Sequence, residues 1–370
     1  MATARPTRFC RVCFNVPAPK QDEIVRSIMT LAIGAIGAGL ARQINLPMFM
    51  LTGPAIAVAL AGYFGLPVMM AQLMRNIIFL VIGVAIGAGM NAEASAAMLH
   101  WPLAFIVLGV ALMLIMWLSL VMLQKLFGYD RNTAILASVP GHLSYVMSFG
   151  PNAKADMSRV SIVQSVRLLA LSFTVPFLAA LLGIDTSLAA LAPAVPMNSV
   201  SFALLLFVSV FVGVGLNALK LPSALLIAGM LVSTFAQVFG LVRGAPSADI
   251  MLAGLIAVGA LLGCRLSVLR RAALAKGLVA GLATTLLAVA VAGAAAFGAG
   301  LMTGQPFLHV LVAFAPGGLE TMVAMGAVIG ADAGFVAAAH IARLFMLTGL
   351  VPLFLGRGPR KQNSPRDAQP

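Results

Sequence analysis

Charge is what this chain has least of. Only 9% of its 370 residues are Asp, Glu, Lys or Arg, and just ten are acidic. A water-soluble domain carries roughly 25% charged residues, so this chain cannot cover a water-facing surface. Cysteine is nearly as scarce, with three residues. Cys10 and Cys13 form a lone CxxC with no second pair, which falls short of a zinc site. Cys264 lies in an apolar run, where a thiol packs as a small hydrophobe. There is no HxxxH, no HExxH and no carboxylate-rich helix, so a metalloenzyme lacks its ligands. P-loop, GxSxG and Rossmann glycine patterns are missing too. The expectation is a protein that is not an enzyme and needs neither cofactor nor metal.

What the chain has in quantity is hydrocarbon: 61% of its residues are hydrophobic, and the mean hydropathy is +1.06. Apolar runs near 24–41, 47–64, 76–92, 102–123, 160–183, 198–219, 221–241, 248–264, 277–302 and 333–356 are each about the length a spanning helix needs. Runs 132–150 and 307–330 are also apolar but are broken by Pro-Gly. The first run begins near Ile24, too late and too long for an ordinary signal peptide. The formal charge of +13 does not indicate nucleic acid, because Lys and Arg concentrate in two short tails and the connectors. That is how a multi-pass membrane protein keeps its positive charge on the cytoplasmic side.

The two halves match at an offset of 176 residues. Gly83 and Gly87 fall on Gly259 and Gly263, and Pro140-Gly141 on Pro316-Gly317. Asp156 falls on Asp332, Arg167 on Arg343 and Pro176 on Pro352. Upstream, Leu46-Pro47 meets Leu221-Pro222 one residue out of step. If both Pro-Gly segments crossed the bilayer, Lys154, Arg159, Lys220, Arg265, Arg270, Arg271 and Lys276 would lie outside, against the distribution membranes impose. If each dips in and returns, all seven move inside and only Arg42 and Arg243 are exceptions. The fold expected is all-α integral membrane, with two inverted repeats of about five transmembrane helices, each with a re-entrant hairpin. A cytoplasmic basic tail (1–23) precedes repeat 1 (24–185). An extracytoplasmic linker (186–197) leads to repeat 2 (198–356), followed by a cytoplasmic basic tail (357–370).

Irregular backbone at membrane depth leaves N–H and C=O groups that lipid cannot satisfy, so it lines a cavity or is buried in protein. Pro140, Gly141 and His142 in one copy and Pro316, Gly317 and Gly318 in the other would create such breaks, because proline removes a donor and glycine permits unusual turns. The alternative is a pair of merely kinked helices. Arg167 and Arg343 lie inside apolar runs, where a guanidinium faces an interior and could grip an anion bidentately, or could snorkel to an interface. Glu320, with Thr321 beside it, is the one acidic residue inside an apolar run, and Ser144 holds the matching place. It could carry a coupling proton or sodium, or cap a helix and pair with an arginine. Gln164 and His340 stand three residues before the matched arginines, on the same helix face, where packing is the plainer role. His100 and His309 read as connector residues.

The stretches LASVPGHLSYVMSFG and VAFAPGGLETMVAMGAVIGAD resemble the bacterial AbrB-duplication membrane family, over about residues 25–356. The stretch from Pro316 to Met322 carries most of the resemblance, and His142 and Ser144 depart from it in the first copy. The family is labelled a transcriptional regulator or an ammonia monooxygenase, yet the residues show neither a DNA-binding domain nor a copper site. Its architecture is similar to that of inverted-repeat secondary transporters. The resemblance implies a protein of the bacterial inner membrane, multi-pass, with both termini cytoplasmic and a homodimer as a possible assembly. The leading expectation is an ion-coupled secondary transporter of a small, anionic solute, with the bilayer, the solute and a proton or sodium as its partners. The rival is a membrane-embedded regulator or sensor of gene expression without net transport, against which the want of an extramembrane effector domain counts.

Overall fold

The computed structural model describes residues 21–88, 101–140, 146, 154–184, 195–219, 221, 223–267 and 274–355. Among them the chain is helical throughout, with one isolated bridge between Pro196 and Ala245. The helices are α1 (Gln21–Gln43), α2 (Phe49–Tyr63), α3 (Gln72–Gly87), α4 (Trp101–Phe127), α5 (Arg131–Ser138), α6 (Met157–Leu181) and α7 (Ser199–Ala218). They continue with α8 (Ala224–Val238), α9 (Ala248–Ser267), α10 (Leu274–Thr303), α11 (Phe307–Phe314), α12 (Leu319–Val328) and α13 (Ala333–Leu355). Seven of them, α1, α4, α6, α7, α9, α10 and α13, are long and apolar enough to cross a membrane. Large side chains such as Phe207 and Phe211 on α7 and Ile106 and Val110 on α4 stand exposed, as lipid-facing residues do. The protein is a multi-pass membrane protein.

Three of the apolar runs make shorter helices than their length suggests. α2 and α8 have 15 residues each and α3 has 16, or about 22–24 Å at 1.5 Å per residue. The backbone gives the reason for two of them. Met48, just before α2, and Ser223, just before α8, adopt left-handed conformations with φ of 47° and 50°, which no α-helix continues through. The 47–64 and 221–241 runs therefore begin with a turn.

The offset in the sequence recurs in the structure. α5 and α11 both have eight residues, and the left-handed caps Met48 and Ser223 occupy matched places. α2 packs on α9 as α3 packs on α8, and α1 packs on α2 as α7 packs on α8. Glycine makes both crossings close. A Cβ at Gly83 would strike the carbonyl of Leu226, and one at Gly259 the carbonyl of Leu51. Gly87 faces Met230 as Gly263 faces Ala55. In lipid, where apolar contact with solvent carries no penalty, close backbone approach through small residues is the main way helices associate.

Helix starts follow their caps. Asp130 accepts the N–H of Thr133 at 3.0 Å to open α5, and Asn198 accepts that of Val200 to open α7. The matched aspartates are caps as well. Asp156 Oδ1 accepts from Ser158 and Arg159 at the head of α6, and Asp332 Oδ1 accepts from Gly334 and Phe335 at the head of α13. Such bonds satisfy helix-end donors that lack a partner. The extended segment before α3 is tied by hydroxyls of α1: Ser27 accepts from Ala71 and Thr30 from Met69.

Candidate functional site

α5 stops at Ser138 and α11 at Phe314. The next residues, Val139 and Ala315, turn extended, with ψ of 116° and 130°, because each precedes a proline whose ring disfavours helix there. Pro140 and Pro316 also lack the N–H that a helix would return to Leu136 and Val312, four residues back. Each break thus strands carbonyl oxygens in a buried place, where an unmet acceptor is costly. In the second copy the backbone stays non-helical from Ala315 until α12 begins at Leu319. In the first copy Gly141, His142 and Ser144 lie outside the described residues.

The arginines meet these carbonyls. Arg167, on α6, donates from Nη2 to Val139 O at 2.7 Å. Arg343, on α13, donates from Nη1 to Ala315 O at 2.8 Å and from Nη2 to Gly317 O at 3.2 Å. Val139 lies 28 residues before Arg167, and Ala315 lies 28 before Arg343. Gln164, one turn earlier on α6, donates to Leu136 O at 2.9 Å and so replaces the donor that Pro140 lacks. His340 does not copy it; its Nδ1 lies 2.9 Å from Val336 O on its own helix.

These four side chains are among the most buried polar groups of the protein: Arg167 is 1% exposed, Arg343 3%, Gln164 0% and His340 1%. The two guanidinium groups are close enough to feel each other's charge. No carboxylate among the described residues lies within ion-pair distance of either. Atoms are left over on both sides of this pair. Arg167 Nε, Arg343 Nε, Gln164 Oε1 and His340 Nε2 are buried without a hydrogen-bond partner among the described residues. Burying an unpaired charge is expensive, so two such charges within electrostatic reach of each other make a place that favours an anion.

Glu320 sits elsewhere, in the first turn of α12. Its Oε1 accepts from Ser223 Oγ at 2.8 Å and lies 3.5 Å from Arg265 Nη2 at the end of α9. Arg75, in the first turn of α3, is within electrostatic reach of both Glu320 and Arg265. Sequence reasoning missed this cluster: Arg265 counted only as a topology signal, and Ser223 and Arg75 not at all. A sole intramembrane carboxylate predicts that basic partners exist, but not which ones. Thr321 is buried on α12, and its Oγ1 and the Glu320 carboxylate both lie near Gly318. His309, expected in a connector, lies in α11 with Nε2 3.2 Å from Ile329 O. Among the described residues no group of three or more His, Cys, Asp or Glu could hold a metal. Cys10, Cys13 and His100 lie outside the described residues.

A helical membrane bundle with a broken segment braced by a buried arginine in each half defines a class of multi-pass protein, and comparison narrows the class to a family. The model described as "Transition state regulatory protein AbrB" matches residues 49–357, and the chain belongs to this family. The chain is also similar to the "Uncharacterized protein YhjN" of Bacillus subtilis (strain 168). The two are 25% identical over 292 residues, which cover 74% of this chain and 76% of that one. No solved structure matches.

Proposed function

We propose that the protein is an ion-coupled secondary carrier of a small anionic solute, built from two inverted five-span repeats in a bacterial plasma membrane with both termini cytoplasmic. The observation that carries this reading is the pair of matched breaks, each facing a buried arginine with no carboxylate partner among the described residues. α11 and α12 have 8 and 10 residues, or about 12 and 15 Å. Each is half the roughly 30 Å of a hydrocarbon core, which favours a segment that dips in and returns. Carriers built from inverted repeats place substrate at such broken helices near the midplane and rock one bundle against the other. In this arrangement Pro140 belongs to one hairpin, whose residues Gly141, His142 and Ser144 lie outside the described residues, and Pro316, Gly317, Gly318 and Thr321 form the tip of the other. Arg167 and Arg343 hold the anion, and Glu320, bridging α12 to α8 and α9, carries the coupling proton or sodium.

The test is uptake of radiolabelled small organic anions into proteoliposomes under an imposed pH or sodium gradient. Gradient-driven accumulation that Arg167→Lys and Arg343→Lys both impair, with membrane insertion intact, supports the carrier, because lysine keeps the charge and loses the planar fork. Uptake equal to the parent in both variants contradicts it. The family description names a regulatory protein, which favours a second reading, a sensor. A sensor would bind an anion in detergent yet accumulate none in vesicles.

A further inference from the structure

The partnerless atoms around the two arginines say more about the ligand than its charge. Two of them, Arg167 Nε and Arg343 Nε, are donors, since a guanidinium has no acceptor. The other two are acceptors. Gln164 already spends an amide N–H on Leu136 O, which leaves Oε1 as a carbonyl oxygen with nothing to accept. His340 Nδ1 faces Val336 O; a carbonyl can only accept, so in the neutral imidazole Nδ1 holds the ring proton and Nε2 presents a bare lone pair. Each repeat therefore offers a buried unmet donor atom and a buried unmet acceptor on one helix face, three residues apart: Gln164 with Arg167, and His340 with Arg343. The two acceptors are chemically unlike but occupy matched positions.

A plain carboxylate or an inorganic anion that carries no proton could satisfy the guanidinium donors and nothing else. It would leave Gln164 Oε1 and His340 Nε2 unmet in a buried place. We infer that the site takes a small organic anion that carries its own O–H or N–H donor beside the charge, such as a hydroxycarboxylate, with the negative group on the arginines and the donor on Gln164 or His340. This rests on the anion-carrier reading and adds to it the class of substrate. Sites built to hydrogen-bond a ligand hydroxyl reject the analogue that lacks it strongly, because the buried partner is then left unpaired.

The experiment compares pairs that differ by one hydroxyl group on the full chain purified in detergent, by calorimetry or thermal shift: lactate against propionate, and malate against succinate. The hydroxylated member is expected to bind roughly tenfold tighter, the worth of one hydrogen bond to a buried group. The preference should fall to within about twofold in the Gln164→Leu, His340→Leu double variant, and binding of every anion should weaken in Arg343→Lys. The comparison on the parent protein needs no variant to fold. If both members of each pair bind equally well, the inference is overturned while the anion-carrier reading survives. If no member of either pair binds at any accessible concentration, both fall. A preference that persists undiminished in the folded double variant also overturns the inference, because the donor is then met elsewhere.

Discussion

The two broken segments are built on one plan and finished differently. Both end an eight-residue helix at a proline, and both hand the freed carbonyl to an arginine 28 residues downstream. In the first, Gln164 on α6 also supplies the donor that Pro140 lacks, so the carbonyls of Leu136 and Val139 are both met. In the second, the ring of His340 turns to its own helix, and Arg343 divides its two terminal nitrogens between Ala315 and Gly317. The copies thus share the bonds that hold a break together and differ in the groups beside it. Glu320 marks the same divergence: its cluster with Ser223 and Arg265 matches a serine, Ser144, in the other copy. A duplicated scaffold preserved with two unequal faces suits a device whose two halves do different work.

The largest effect expected from breaking this comparison comes from the arginines. Removing either leaves buried carbonyls unmet, at about 1–3 kcal/mol for each. Arg343→Ala should therefore cost about twice what Arg167→Ala costs, because it frees two carbonyl acceptors rather than one. Thermal melting of the purified variants checks the ratio, and equal losses would mean the second bond to Gly317 contributes nothing. The close crossings come next. Gly83→Ala and Gly259→Ala each push a Cβ into a facing backbone carbonyl and should each cost about 1–3 kcal/mol. The two losses should be similar, since the crossings are equivalent, and a variant that melts like the parent would show that its crossing is looser than described.

Smaller shifts separate the faces. Exchanging the polar partners should move stability in opposite directions: Gln164→His should lower it and His340→Gln raise it, by about 1 kcal/mol each, because a glutamine can reach the carbonyl opposite the proline and the histidine does not. A loss in both would show that each residue fits its own site. Glu320→Gln should change stability by no more than about 1 kcal/mol, since Arg265 is 38% exposed and its ion pair is screened. It should nevertheless retain solute exchange while losing gradient-driven accumulation.

The smallest effect concerns the matched caps. Burial pushes the Asp332 carboxyl up against the pull of its bonds from Phe335 and Gly334 and of nearby His309. A raised acid disfavours its charged form in the folded protein, so stability is lost as pH rises through the folded value. Asp332→Asn keeps the cap and should melt higher than the parent at neutral pH. The gain should vanish as pH falls below the ordinary carboxyl value of 3.8, and a gain unchanged across pH would contradict the electrostatic cause.

Much of the fold was legible in the residues because it rests on strong local rules. Charge scarcity implied a lipid solvent, and Pro140 and Pro316 end their helices where proline must. Helix length was less legible: nothing in Leu46-Pro47 or Leu221-Pro222 announces the left-handed residues that follow at Met48 and Ser223. The site was half legible. A buried arginine in an apolar run predicts that something compensates it, and the breaks were expected to expose backbone. That the arginine compensates the break depends on two helices 28 residues apart coming into register, which no local pattern encodes. Ser223 and Arg265 reach Glu320 across the bundle for the same reason.

Whether the two copies of the unit are opposed in the membrane is read out by the accessibility of engineered cysteines in intact cells. In a background with Cys10, Cys13 and Cys264 replaced, a cysteine at Ser187 should react with a membrane-impermeant maleimide from outside. A cysteine at Arg270 should react only after the membrane is opened. External labelling at Arg270 would place the connector before α10 on the outer face and contradict the inverted arrangement.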